Sequence, residues 1–225
     1  MNGMEDLLEY VLKKGSDLGA EYVEARYQSD TESQILLKNG VPEVSADSVE
    51  KGIGLRVLVK GCLGFAYVNR LDRQTLRKAV SEAISMARAA ALRSPNVKMS
   101  DEKLVSGSDV RKPRIGFENV DVADKVALLK ESDMAAVEAA EKAGVKLVSR
   151  IIEVGRWDTE KIILNTDGGN ITYRVCRATA NYHITAFHPQ RGSVQRFENL
   201  GESSGWVAVE RWNLPHRMAE EAKEI

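Results

Sequence analysis

Three histidines, two cysteines and 33 acidic side chains are the groups in this 225-residue chain with the chemistry to hold a metal or move a proton. A zinc centre needs three or four converging N, S or O ligands. His183 and His188 are five residues apart across the end of a strand, which sends their side chains to opposite faces. With His216, they read as ordinary surface or turn residues. Cys62 falls in a hairpin turn, where an inert thiol is the default. Ser203 and Ser204 lie in a Gly-rich loop, but no histidine–acid pair is patterned to activate them. Glu202 and Glu210 near the tryptophans have nothing that sets them above the other glutamates. Trp157, Trp206 and Trp212 have the surfaces to stack a peptide, and core packing is the simpler expectation. Asp133 falls on an apolar helical stripe, where an unpaired carboxylate is costly; it is either a paired buried acid near a cleft or a rim residue. Arg56 sits opposite Leu55 and Val57 on a strand. It suits a substrate carboxylate or a partner subunit, with a solvated or ion-paired strand arginine as the plainer reading.

The elements that must position these groups follow from periodicity. Met4, Leu7, Leu8, Val11, Leu12 and Leu18 make one helical stripe, with Gly15 and Gly19 as stopping points. Val23, Ala25 and Tyr27 then alternate with Glu24, Arg26 and Gln28, the pattern of a half-buried strand. Ile35 and Leu37 continue it to Asn39-Gly40, a type I′ hairpin turn. Further strands are expected to about Val49, over 52–59 and over 63–68, with a turn at Lys60-Gly61. A second helix, capped by Asp72, carries Leu76, Ala79, Val80, Ala83, Ile84 and Ala87 inward. Periodicity disappears over 93–119, which reads as a connector. Asp121 opens a third helix closed by Gly144. Strands are expected over 145–154, 157–165, 170–176, 177–187 and 194–198, and a last helix near Asn213 with Pro215 in its first turn.

Composition limits the function classes. With 43% hydrophobic residues the chain can bury one substantial core or two small ones. A net charge of −1 lacks the basic excess of non-specific nucleic-acid binders, so nucleic acid is not an expected partner. No uncharged apolar run approaches the roughly 18 residues of a membrane span. The acidic residues Glu5, Asp6 and Glu9 do not fit a secretory signal. Two distant thiols fit a reducing compartment, and a cytoplasmic location is expected.

The glycines need no family to explain them. Gly52 and Gly54 allow a bulge or a tight strand start, Gly61 makes a hairpin turn, and Gly64 leaves room for a neighbour in the sheet. The Gly-Ile-Gly here precedes an alternating strand, not a helix, which excludes a dinucleotide fingerprint.

The run Gly52-Ile53-Gly54-Leu55-Arg56-Val57, then Gly61, Gly64-Phe65-Ala66 and the helix from Asp72, resembles the N-terminal signature of TldD/PmbA proteins, known as modulators of DNA gyrase and related to zinc metallopeptidases. The preceding helix, Gly19-Ala20-Glu21-Tyr22 and Asn39-Gly40 fall in the same order, and the Gly-rich segment before Trp206 resembles the region just upstream of that family's catalytic motif. The resemblance implies Gly52, Gly54, Arg56, Gly64 and Phe65 as signature positions with structural roles. It also implies peptide hydrolysis by a zinc-activated water, with a His-Glu-x-x-x-His helix in the C-terminal half. This sequence has no His-Glu pair, so no catalytic or metal residue carries over and no cofactor is expected in this chain, zinc being expected in the full-length protein.

The expected architecture is α+β: antiparallel sheets flanked by helices, in two related helix–strands–helix units. The first unit spans 1–92, a connector 93–120, and the second 121–225, leading toward a metal-binding half. The expected function is the N-terminal portion of a zinc-dependent peptidase acting on unfolded or small peptides, shaping the substrate channel and a homodimer or a heterodimer with a paralogous subunit. By itself this chain is expected to be inactive. The alternative is a non-catalytic peptide-binding or assembly module of the PmbA type.

Overall fold

The computed structural model describes residues 2–92, 97–100 and 105–225. In chain order the elements are α1 (Asn2–Asp17), β1 (Tyr22–Lys38), β2 (Val41–Val59), β3 (Cys62–Val68), α2 (Arg73–Ala90), β4 (Ser106–Val110), a 3-10 turn (Phe117–Asn119), α3 (Val122–Lys142), β5 (Leu147–Asn165), β6 (Asn170–His188), β7 (Gly192–Glu202), α4 (Trp206–Trp212) and α5 (Leu214–Glu224). The α+β class with an antiparallel sheet flanked by helices is as expected. No helix among the described residues is long and apolar enough to cross a membrane.

Strands are longer than the pattern predicts. The pairs expected at 145–154 and 157–165, and at 170–176 and 177–187, are single strands of 19 residues each. Gly155 explains one case. A Cβ there would lie 2.8 Å from the Ser33 carbonyl oxygen and 3.2 Å from the Thr179 hydroxyl, so the glycine admits close neighbours without ending the strand.

Because β1, β2, β5 and β6 are 17 to 19 residues long, each contributes to both of the chain's compact units. One unit comprises Met1–Asp30, Glu50–Val110 and Thr159–Arg174; the other comprises Thr31–Val49, Arg111–Asp158 and Val175–Ile225. The units are therefore interleaved in sequence, unlike the linear division at 92 and 120.

In the first unit the strand order is β3-β2-β1-β5-β6-β4. β2 and β3 pair antiparallel from Ile53↔Val68 to Val59↔Cys62. Leu8 and Val11 of α1, and Leu76, Val80, Ala83, Ile84 and Ala87 of α2, close over Val23, Ala25, Ile53, Leu55, Val57 and Ile162. Burial of each of these Leu, Ile and Val side chains contributes about 1.5–3 kcal/mol before ordering costs, and each alanine methyl less. Asp72 caps α2 as expected, accepting from the Thr75 amide at 2.9 Å. The expected connector contains β4, which pairs parallel with β6 from Ser106↔Asn170 to Val110↔Arg174. Its fully exposed sequence Ser-Gly-Ser-Asp-Val has no apolar alternation to announce a strand. The connector residues 93–96 and 101–104 lie outside the described residues.

In the second unit the order is β2-β1-β5-β6, with β7 also on β6. Leu129, Ala136 and Ala140 of α3, Trp206, Val209 and Trp212 of α4, and Leu214 and Met218 of α5 pack on Ile35, Leu37, Ile152, Val154, Ala178, Tyr182 and Ile184. Trp206 meets Phe117 edge-on, with ring centroids 5.4 Å apart. Asn213, at φ 49°, takes the left-handed conformation that separates α4 from α5. Asp121 stands at the N-cap of α3 without a capping hydrogen bond from its side chain.

Candidate functional site

The face of the first unit's sheet opposite α1 and α2 carries the side chains that alternate away from the core. On β1 these are Tyr22, Glu24 and Arg26; on β2, Gly54 and Arg56; on β3, Phe65 and Tyr67. The register sets Gly54 beside Tyr67 and Arg56 beside Phe65. A Cβ on Gly54 would meet nothing within 4 Å, so the sheet opens there. The result is a cavity of about 430 Å³ lined by Glu24, Arg26, Gly54, Arg56, Phe65 and Tyr67 among others. Phe65 and Tyr67 remain 53% and 68% exposed, so two adjacent rings face solvent where apolar surface is least expected.

Glu24 organises the polar side of this cavity. Its Oε1 accepts from Arg26 Nε at 2.7 Å, and its Oε2 accepts from Arg56 Nη2 and from the Tyr22 hydroxyl, both at 2.9 Å. Burial works against ionisation of Glu24. The hydrogen bonds from Tyr22 and Arg26 and the charges of Arg56 and Arg26 outweigh it, holding the carboxyl below its ordinary range. Burial, and then the Glu24 carboxylate, push the Tyr22 hydroxyl up. The Arg56 guanidinium also lies 5.9 Å from the centroid of the Tyr22 ring. Arg56 is thus ion-paired on its strand, at the wall of the cavity.

Four of the five signature positions meet around this cavity and its neighbour. Gly54, Arg56 and Phe65 line it, and Gly52 lines the adjoining depression with Tyr67, whose ring packs where a side chain on Gly52 would stand. Gly64 faces the other way. Its neighbour is α2 rather than another strand, because a Cβ there would run into the Ala83 carbonyl. Sequence reasoning missed Glu24 as the organiser, although its alternation with Val23 and Ala25 already placed it on the polar face.

A second polar group lies in the other unit. Lys125 of α3 is buried, with its ammonium 4.0 Å from the centroid of the Phe117 ring. Desolvation, then the Arg156 charge, lower its pKa. Arg156 pairs with Glu118 and lies 3.6 Å from Asp158. Burial, and then a hydrogen bond to Asp158, push the Cys176 thiol up to about 12. Such a thiol carries little of the thiolate that acts as a nucleophile at neutral pH.

The remaining candidates resolve individually. Asp133 is the paired buried acid, gripped by Arg150 Nε at 2.7 Å and Nη2 at 3.2 Å. Trp206 and Trp212 are core residues, while Trp157 is 47% exposed. The Ser204 hydroxyl donates to Glu202, which also pairs with Arg211. His183 stacks on Phe197, and His188 Nδ1 accepts from the Gln190 amide at 3.2 Å. Among the described residues no three His, Cys, Asp or Glu side chains converge as a metal would require, so these residues do not fit a zinc centre.

Comparison with known proteins adds family and fold. The family model for PmbA/TldA metallopeptidase domain 1 matches residues 23–87, and that for the PmbA/TldA metallopeptidase central domain matches 115–225. A candidate modulator of DNA gyrase from Bacteroides thetaiotaomicron is 17% identical, with a TM-score of 0.71 over 94% of this chain and 49% of its own. Another from Thermotoga maritima is 19% identical, with a TM-score of 0.69 over 98% and 47%. TldE from Thermococcus kodakarensis is 16% identical, with a TM-score of 0.65 over 96% and 47%. At these identities the likeness is one of fold, and the chain spans about half the length of these structures. No curated protein matches the chain. With the two family models together matching well over half of its residues, the chain belongs to the PmbA/TldD metallopeptidase family.

Proposed function

We propose that this chain is the N-terminal portion of a PmbA/TldD-type zinc metallopeptidase and supplies surface that handles unfolded or small peptides. The observation that carries this reading is the open cavity of the first unit, where two exposed rings stand beside a guanidinium pair. Pockets of roughly 300–1,000 Å³ with apolar walls and a few fixed polar groups are the usual form of a ligand site. In this reading, zinc would be held by residues other than those described here and would supply the Lewis acid for peptide hydrolysis. The chain's own part is to bind and orient the peptide, within a homodimer or with a paralogous subunit, in the cytoplasm.

The test is direct. The purified chain is incubated with an unstructured peptide mixture, with and without added zinc, and both retained peptide and cleavage products are measured by mass spectrometry. Retention of intact peptide is expected. Stoichiometric zinc with unaided cleavage, or no retention at all, would contradict the reading.

A further inference from the structure

The cavity on the first unit has a charge that its peptide-handling role does not by itself explain. The Arg26 and Arg56 guanidiniums contribute two positive charges against the single carboxylate of Glu24, leaving the wall at +1. Both Glu24 oxygens are already engaged, accepting from Arg26, Arg56 and Tyr22. It fixes both guanidiniums side by side before any ligand arrives, the preorganisation that lowers the cost of binding. Arg26 spends its Nε on Glu24, yet 58% of its side chain stays exposed at the mouth of the cavity.

We infer that this cavity receives the free C-terminal carboxylate of an extended peptide whose last residue is apolar or aromatic. The inference rests on the peptide-handling reading above and names the end of the peptide that is recognised. A wall at +1 matches a monoanion, and guanidinium forks match the two oxygens of a carboxylate. A phosphate dianion would leave the site with net negative charge. Phe65 and Tyr67 stand beside the guanidiniums, and the missing side chain of Gly54 leaves the floor between them open. In a C-terminal residue, carboxylate and side chain leave the same Cα, so one residue satisfies both the charge and the rings. An internal Asp or Glu supplies only the charge.

The experiment titrates the full chain into fluorescein-labelled peptides of one sequence ending in Phe, read by anisotropy. One peptide has a free acid, one a terminal amide, and one a terminal amide with an internal Glu. Charge-assisted hydrogen bonds of about 1.5–3 kcal/mol correspond to roughly 10- to 100-fold in affinity. Amidation is therefore expected to weaken binding at least about 10-fold. Arg26→Gln is expected to weaken the free acid more than the amide, which removes most of that preference. Phe65→Ala weakens all three peptides; both replaced side chains are largely exposed, and thermal melts check that the variants fold. Equal affinity for acid and amide would overturn the carboxylate inference while leaving the peptide-handling reading intact. Equal affinity for the acid and the internal-Glu amide, or displacement by inorganic phosphate at lower concentration than by N-acetyl-phenylalanine, would also overturn it. Failure of all three peptides to bind would overturn both.

Discussion

The Ala83 carbonyl of α2 occupies the space a side chain on Gly64 would need: a Cβ there would lie 2.8 Å from the carbonyl carbon and 3.2 Å from the Ala87 Cβ. Helix and strand approach this closely because one side has no side chain and the other has only methyl groups. Gly64→Ala must push α2 off β3, and overpacking of this kind costs about 1–3 kcal/mol or more. A drop of at least about 2 kcal/mol in urea unfolding is expected. Gly54→Ala serves as the comparison, since its Cβ meets nothing, and its stability should stay within about 0.5 kcal/mol of the parent.

Glu24 makes stability depend on pH. Its folded-state pKa lies below the ordinary value of 4.5, so the unfolded chain binds the proton more readily. The contribution is fully present above the unfolded pKa and is lost as pH falls through the folded one. Glu24→Gln strands two arginines without their anion and should cost about 2–3 kcal/mol at pH 7. Below about pH 4 the difference from the parent should shrink. Unfolding midpoints of the two proteins across pH 3–7 measure this; a constant gap would contradict it.

Asp133 and Arg150 tie α3 to the sheet in the second unit. The pair is nearly enclosed, at 7% and 15% side-chain exposure. The backbone of Arg150 also exchanges two hydrogen bonds with Asn39, its amide donating to Asn39 Oδ1 and its carbonyl accepting from the Asn39 amide, both at 2.8 Å. Asp133→Ala leaves a buried guanidinium unpaired and should cost about 3–5 kcal/mol. Replacing both partners, Asp133→Leu with Arg150→Met, should recover much of that loss. A double variant no more stable than the single one would contradict this.

Cys176 should be unreactive in the folded protein. Burial and the Asp158 carboxylate raise its pKa to about 12, so thiolate is scarce at pH 8. Cys62 is also buried. Iodoacetamide is expected to label neither thiol in the native state and both in denaturant. Rapid native labelling at Cys176 would contradict the geometry.

The sequence made legible whatever depends on local periodicity. The stripe from Leu76 to Ala87 located α2, Asp72 located its cap, and the alternation about Val23 and Ala25 separated the core face from the polar face. Strand length was not legible, because Gly155 and the Cys176–Arg177 step look like breaks unless the neighbouring strands are known. β4 was hidden for a related reason: its partners are backbone groups on β6, and its exposed side chains need follow no pattern. The cavity was half legible. Gly52, Gly54, Arg56 and Phe65 stood out, while Glu24 did not, since its importance comes from three donors brought together across two strands. The orientation of Gly64 toward α2 likewise depends on tertiary packing.

The most direct test is photo-cross-linking of the purified chain with an unstructured peptide bearing benzoylphenylalanine at its last position, with the attachment sites read by mass spectrometry. Cross-links concentrated on Phe65, Tyr67 and the adjoining 54–56 segment, and competed away by unlabelled free-acid peptide, are the expected result. Cross-links spread over the second unit, or none above background, would contradict the assignment of peptide handling to this face.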